Sequence, residues 1–348
     1  MARGDWMAAY SLSEPSSGSD ALGMKTEAIL SSDGMHYVLN GTKRWTTNAG
    51  WADLFTVFAK VDGRDTTAFL VERTYPGLSI GKEEHKLGLK SSSTCRVILE
   101  NVRVPVENVL GEVGKGASIA FNVLNFGRLN FGVSGIGIAQ EQLRVAARYA
   151  VERQQFGKPL AAFGLIQKKL AEMAVKVFAA ESAAHRTAGL IDDLMATGEI
   201  MSSVSPGFPL AMDEFALECS VVKIRGADVA SEVADESLQI HGGCGYTEDF
   251  PPARALRDAR LNRIGEGTNE INRLFLSTLL MRRASRGRFP LKEAISAAAL
   301  GLPQAPAAAG GDDLEAASAF LANAKRLVFY LCGVADGKFW EKRDEDQE

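Results

Sequence analysis

GLKSSSTCRVILENVRVPVENVLGEVGKG, residues 88 to 116, runs directly into ASIAFNVLNFGRLNFGVSGIGIAQEQLRVAARYAVERQ, residues 117 to 154, and the spacing of apolar residues changes between them. The first part is a β-branched run bounded by polar residues, as in a strand. The second repeats apolar residues at i, i+3, i+4 and i+7, as in one face of a long helix. The chain therefore changes character near residue 112. Before it lie KTEAILS, HYVLNGTKRWTT, LFTVFAKV and TTAFLVER, separated by SSDG, DGRD and YPG turns, which predict a mostly β segment. After it, residues 163–194 and 214–240 repeat the helical spacing, and long helices of this kind usually pack as an antiparallel bundle. Beyond RRASRGR, the Ala, Pro and Gly of ALGLPQAPAAAGGDD predict a flexible connection before one more amphipathic helix near residues 313–335. The expected organisation is α+β, with segments 1–112, 113–285 and 286–348.

Composition narrows the function classes. The 348 residues are 46% hydrophobic and 24% charged with a formal charge of -4, ordinary for a globular protein and against a nucleic-acid partner, which calls for a basic surface. Cys95, Cys219, Cys244 and Cys332 are scattered without a CxxC pair, so neither a metal site nor a disulfide framework is expected. The start lacks the basic and apolar regions of a signal peptide, and no apolar run reaches the roughly 18 residues of a membrane span. A reducing compartment follows: the cytoplasm, or the mitochondrial matrix in a eukaryote.

Three polar stretches stand out. YSLSEPSSGSD, residues 10–20, reads by itself as a surface turn. Its hydroxyls and backbone N–H groups could equally form a lip for an anion or a heteroaromatic ring. QIHGGCGYTEDFPPARALRDAR, residues 239–260, places Gly242, Gly243 and Gly245 directly after a long helix, where a glycine cap is the plain reading and close approach of a ligand the other. In RIGEGTNEINRLF, residues 263–275, Thr268 is a plausible N-cap with Asn269 and Glu270 in the first turn. Glu266 is not needed for that cap. Between Gly265 and Gly267 it is a carboxylate presented to a partner.

Taken together, YSLSEPSSGSDALG, ERQQFGKPL, QIHGGCGYTEDFPPARALRD and RIGEGTNEI, in this order over residues 5–285, resemble the acyl-CoA dehydrogenase family of FAD flavoproteins. The resemblance implies a β-barrel or sandwich domain, an antiparallel four-helix bundle and a helical C-terminal extension like that of the long- and very-long-chain branch. It implies FAD contacts at Tyr10, Leu12, Ser13, Gly18, Ser19, Trp45, Thr46, Thr47, Gln239, Gly242, Gly243, Thr268 and Asn269. Arg153, Phe156 and Gln167 would contact the FAD of a neighbouring subunit, so a homodimer or higher homo-oligomer is expected. Ser19, Asn125, Arg128 and Gly267 would line the acyl-CoA site. Removing an α proton while the β hydrogen leaves as hydride requires a carboxylate at the α carbon, and Glu266 matches the family's base. Some relatives carry that glutamate one residue before the arginine of the first bundle helix, where this chain has Gly127. Among the four histidines only His241, within the glycine loop, stands where a cofactor could touch it.

The expected activity is FAD-dependent α,β-dehydrogenation of a long-chain acyl-CoA thioester to the trans-2-enoyl-CoA in fatty acid β-oxidation, with electron-transfer flavoprotein as acceptor. Two departures bear on it. Gly265 replaces a large aromatic common beside the base, and the helical domain with which members open precedes residue 1, so part of the pocket wall is expected to be absent. An acyl-CoA oxidase on the same scaffold, and a fragment that only binds or dimerises, are the alternatives. The apolar run LVFYLCGV, residues 327–334, is expected to be buried against the bundle, with weak association to a membrane surface as the other reading.

Overall fold

The computed structural model describes residues 3–197, 207–300 and 313–339. Eight strands precede residue 112: β1 (Ala8–Ser11), β2 (Glu27–Leu30), β3 (His36–Thr47), β4 (Leu54–Val61), β5 (Asp65–Glu72), β6 (Leu78–Ile80), β7 (Thr94–Pro105) and β8 (Val109–Leu110). They form one mixed sheet in the order β6-β7-β3-β2-β4-β5-β8, with β1 also paired to β4. β5 pairs antiparallel along the whole of β4. β1 and β2 therefore share the other edge of β4, each in parallel, β1 from Leu54 to Val57 and β2 from Lys60 to Val61. Leu39, Phe55, Val57, Phe69, Val71, Val97 and Val104 are fully buried in the core of this sheet. The β-branched runs of the sequence pack there as the burial of one strand face requires.

The helices follow: α1 (Gly116–Glu152), α2 (Gly164–Ala196), α3 (Gly207–Glu214), α4 (Ala216–His241), α5 (Pro251–Ala259), α6 (Asn269–Ser285), α7 (Leu291–Ala299) and α8 (Asp313–Phe339). A short hairpin, β9 (Gln154–Gln155) and β10 (Lys158–Pro159), joins α1 to α2. The architecture is α+β, as expected. α1, α2 and α4 bury a common core of Ile136, Ala139, Ala146, Met173, Val177, Val222, Val229 and Val233. α5 is absent from the periodicity reading because the two prolines that open it look like loop residues; Pro is well placed in the first helical turn, where no intrahelical N–H bond is lost.

The main chain divides into two units, residues 1–276 and 277–348. In the second, α7 packs on α8 and Phe289 stacks on Phe329. The run 327–334 lies within α8, yet Leu327, Val328 and Leu331 are exposed, as are Leu314 and Phe320 on the same helix. No described helix is long and apolar enough to cross a membrane.

The tightest packing in the first unit is between α1 and α4. A Cβ on Gly132 would stand 2.5 Å from the Val222 carbonyl oxygen, one on Gly135 2.7 Å from that of Gly226, and one on Gly226 2.2 Å from that of Gly132. Backbone touches backbone here, and no side chain fits. Gly226→Ala is expected to lower stability by about 1–3 kcal/mol, the overpacking penalty outweighing the gain in helix propensity of about 1 kcal/mol. Gly137→Ala on the exposed side of α1, where a Cβ meets nothing within 4 Å, is expected to raise stability by about 0.5–1 kcal/mol. Urea unfolding of both variants checks the pair; equal effects would contradict the backbone contact.

Candidate active site

Residues 10–20 form a braced loop. Glu14 and Ser17 exchange backbone bonds, N to O 2.8 Å and 3.2 Å, and Ser17 is buried with its hydroxyl donating to the Asp20 carbonyl. Glu14 is buried and accepts from the Lys25 amide at 2.6 Å, the Thr26 amide at 3.0 Å and Lys43 Nζ at 2.7 Å. Lys43, with no exposed surface, also donates to the Leu12 carbonyl at 3.1 Å. Burial alone would raise the Glu14 carboxyl; Lys43 and the hydrogen bonds from Thr26 and Lys25 outweigh it and hold the group below the usual carboxylate range. This pair was missed in the sequence because Glu14 and Lys43 lie in polar stretches that read as surface. Its result is to leave Gly18 and Ser19 exposed on a fixed loop.

Beside the loop, the β3–β7 register slips between Lys43 and Thr46. In that bulge Trp45 takes a φ of 57° and is 52% exposed, with the Arg44 guanidinium 4.5 Å from its ring. A bulky aromatic at positive φ is a true backbone outlier, and bulges commonly re-aim side chains near functional sites. Thr47 is exposed next to it. Thr46 points inward and shares a 2.8 Å hydrogen bond with Ser11, while the Ser13 carbonyl accepts from the Arg44 amide at 2.8 Å. Leu12 is buried against Met24, Phe58 and Ala120. Tyr10 packs edge-on to Phe58, and burial, reinforced by the charge of Glu266, pushes its phenol well above the ordinary value.

Glu266 has φ 56° and Gly267 φ 77°, so the chain turns left-handed at the carboxylate. The Glu266 side chain reaches Gly127 on α1: a Cβ there would lie 2.5 Å from Oε2. The position from which some relatives would supply the glutamate thus abuts the carboxylate of Glu266. Burial raises the Glu266 pKa, against the opposing charges of Arg128 and Lys223. Arg128, itself buried, donates from Nε to the Glu266 carbonyl at 3.4 Å and from Nη1 to Asn125 Oδ1 at 2.9 Å. Asn125 is buried and donates to the Met212 carbonyl at 3.2 Å, so its side chain positions the arginine and is not presented to a ligand. Thr268 caps α6, its hydroxyl accepting from the Ile271 amide at 3.2 Å. Asn269 is buried, accepting from Lys223 Nζ at 2.8 Å and donating to Asp228 at 2.9 Å. The side chains of Thr46, Asn125 and Asn269, expected at a ligand, are therefore spent inside the protein. Gly265 is faced by Phe131, whose ring would lie 2.9 Å from a Cβ at that position. An aromatic side chain from α1 fills the space that the missing side chain leaves.

The remaining expected contacts gather elsewhere. Arg153 follows α1, and Phe156 with Gly157 forms the β9–β10 turn at φ 55° and 76°, with Phe156 92% exposed. Gln167 is exposed on α2, bonded to the Ala161 carbonyl at 2.9 Å. Gln239, Gly242 and Gly243 are exposed at the end of α4, and no heavy atom lies within 4 Å of a Cβ built on either glycine. His241 does not join them. It is buried, stacked on Tyr149 with centroids 4.0 Å apart, and bonded through Nδ1 to the Ser237 carbonyl at 2.7 Å. Arg128 and Arg153 are separated along α1 by about 37 Å at 1.5 Å per residue. One chain therefore carries two separate halves of the expected cofactor contacts. Among the described residues no group of His, Cys, Asp and Glu could hold a metal ion.

Residues 9–102 match the acyl-CoA dehydrogenase middle domain and residues 114–281 the acyl-CoA dehydrogenase C-terminal domain. A probable acyl-CoA dehydrogenase of Bacillus subtilis is 44% identical, covering 100% of this chain and 59% of its own length. A short-chain specific acyl-CoA dehydrogenase of Megasphaera elsdenii is 38% identical over 81% of this chain and 70% of its own. The crystal structure of an acyl-CoA dehydrogenase complexed with FAD from Bacillus anthracis superposes with a TM-score of 0.91 at 45% identity, covering 97% of this chain and 58% of that one. The chain thus spans under two thirds of the length of the Bacillus relatives. With both domains matched in order, this chain belongs to the acyl-CoA dehydrogenase family.

Proposed function

We propose that the chain takes part in the FAD-dependent α,β-dehydrogenation of an acyl-CoA thioester, with Glu266 as the base. The observation that carries this reading is a half-buried carboxylate, displayed between two glycines with its pKa raised by desolvation, that stands against Gly127 of α1, where a Cβ would come within 2.5 Å of it. A base of that kind removes a weakly acidic proton next to a carbonyl more effectively than an ordinary exposed carboxylate. Arg128 balances the carboxylate charge and, through the Glu266 carbonyl, orients the loop. The domain division at residues 112 and 285, the long-chain preference and electron-transfer flavoprotein as acceptor belong to this proposal.

FAD fits the residues that face outward. Trp45 and Thr47 on the β3 bulge, with Ser13, Gly18 and Ser19 on the braced loop, offer an aromatic face, hydroxyls and backbone N–H groups suited to a ring and its polar edge. Gly242 and Gly243 leave open backbone where a pyrophosphate can approach. A flavin held there would supply the acceptor for the hydride leaving the β carbon, while Glu266 would take the α proton. Because the two groups of contacts stand about 37 Å apart along α1, each flavin would take Arg153, Phe156, Gln167 and the Gln239, Gly242 and Gly243 loop from a second copy.

Glu266→Gln is expected to retain flavin while acyl-CoA-dependent bleaching falls by about 10²-fold or more. In the unsubstituted protein the rate needs the ionised carboxylate. It is present above the raised Glu266 pKa and lost as pH falls through it, so the acid limb should lie above the ordinary 4.5. Near-normal bleaching by the Gln variant would reject Glu266 as the base, and bound flavin without any bleaching would favour the binding fragment. Flavin retention is further expected to fall on dilution in step with dissociation of the oligomer, and Phe156→Ala should shift that release to higher protein concentration. Flavin fluorescence measured alongside sedimentation checks this; a monomer with full flavin would contradict it.

A further inference from the structure

We propose that Lys223 is a positioning residue, holding from α4 the peptide that follows Glu266 and thereby fixing where the carboxylate stands. The proposal deepens the dehydrogenase reading and rests on Glu266 being its base. Glu266, a non-glycine residue at φ 56° next to Gly267 at 77°, holds a conformation that persists only when its surroundings over-determine it. The surroundings do so through the loop's carbonyls. Lys223 Nζ donates to the Gly267 carbonyl at 2.7 Å and to Asn269 Oδ1 at 2.8 Å. Asn272 Nδ2 lies 3.3, 2.9 and 3.0 Å from the carbonyls of Glu266, Gly267 and Thr268.

Lys223 is an unusual choice for this task. Its residue has no exposed surface, and its two hydrogen bonds go to a peptide carbonyl and an amide oxygen. A buried ammonium without a carboxylate in contact is costly to desolvate, and burial lowers its pKa to about 8. Five residues on, Asp228 accepts from Asn269 Nδ2 at 2.9 Å and stands 3.0 Å from Arg263 Nε and 2.8 Å from Arg273 Nη2. Lys223 and Asp228 thus grip the loop on both sides of Glu266. The charged and titratable groups that act on the carboxylate are Arg128 from α1, Lys223 from α4 and Tyr10 from β1; Lys223 also feels Glu270 and Asp228. Lys223 therefore does more than brace the loop, because its charge also favours the ionised form of the base.

Two measurements test this without turnover: hydrogen exchange of amides 264–269, and the titration midpoint of the Glu266 carboxyl from infrared spectra of the unsubstituted protein minus those of Glu266→Gln. Lys223→Met should speed loop exchange at least about tenfold, leave strand amides of the sheet unchanged, and move the midpoint up by about one pH unit for the lost neighbouring cation. Lys223→Arg should restore the midpoint. Lys223→Gln, which can still donate a hydrogen bond, should keep more of the loop protection yet show the raised midpoint, and it serves where the Met variant does not fold. Wild-type loop exchange together with an unmoved midpoint in the neutral variants would overturn the proposal. A chain that binds no flavin and bleaches none would instead count against the dehydrogenase reading, leaving these measurements to judge Lys223.

Discussion

The backbone of α1 meets the backbone of α4 where Gly132 and Gly135 face Gly226, and the geometry around Glu266 depends on that contact. Arg128 lies one turn before Gly132 on α1, and Lys223 about one turn before Gly226 on α4. Bringing the two helices together without intervening side chains therefore brings both cations to the loop at 265–269. A single added methyl between the helices would move a carbonyl and two buried cations together, since packed interiors transmit such strain.

Two desolvated glutamates in this protein, Glu14 buried and Glu266 half-buried, meet opposite fates for reasons the structure makes plain. Glu14 is met by Lys43, by the Thr26 hydroxyl and by two backbone amides, and its proton is lost more readily than usual. Glu266 is desolvated as well, but Arg128 and Lys223 act on it mainly through space while their hydrogen bonds go to neighbouring carbonyls and amides, and its pKa rises. The first arrangement suits a brace, since a carboxylate with its lone pairs satisfied has little reason to accept another proton. The second suits a base, whose lone pairs must stay available until substrate arrives.

Much of this organisation was legible in the sequence because the signals were local. The β runs at 36–47, 54–61 and 95–104 and the helical runs at 118–154, 163–194 and 214–240 fall on β3, β4, β7, α1, α2 and α4 within a few residues. Thr268 was readable as a cap from its place before Asn269 and Glu270. What escaped was non-local. Lys43 and Lys223 look like surface residues until loops 29 and 44 residues away in sequence supply Glu14 and Gly267. The inward turn of Thr46 depends on Ser11, 35 residues distant. Phe131 reads as one more apolar residue of α1; its place over Gly265 appears only when the loop after α5 folds back on α1.

Strained backbone ties these threads together. Seven described non-glycine residues have positive φ, a region that bulky side chains avoid: Asn48, Asp62, Leu89 and Asn101, together with Trp45, Phe156 and Glu266, which lie near 56°. Each of the last three is held by something identifiable: Trp45 by the slipped β3–β7 register, Phe156 by a two-residue turn with Gly157, Glu266 by donors gathered on its loop. In each case the left-handed residue directs a side chain that the adjoining regular element would otherwise turn elsewhere. Backbone strain of this kind persists only where the surroundings over-determine it. The same three positions are the aromatic face proposed for the flavin, the residue proposed to reach a second copy, and the proposed base. Local strain and proposed chemistry therefore coincide at residues far apart in the chain, and the supports named here are where substitutions should uncouple them.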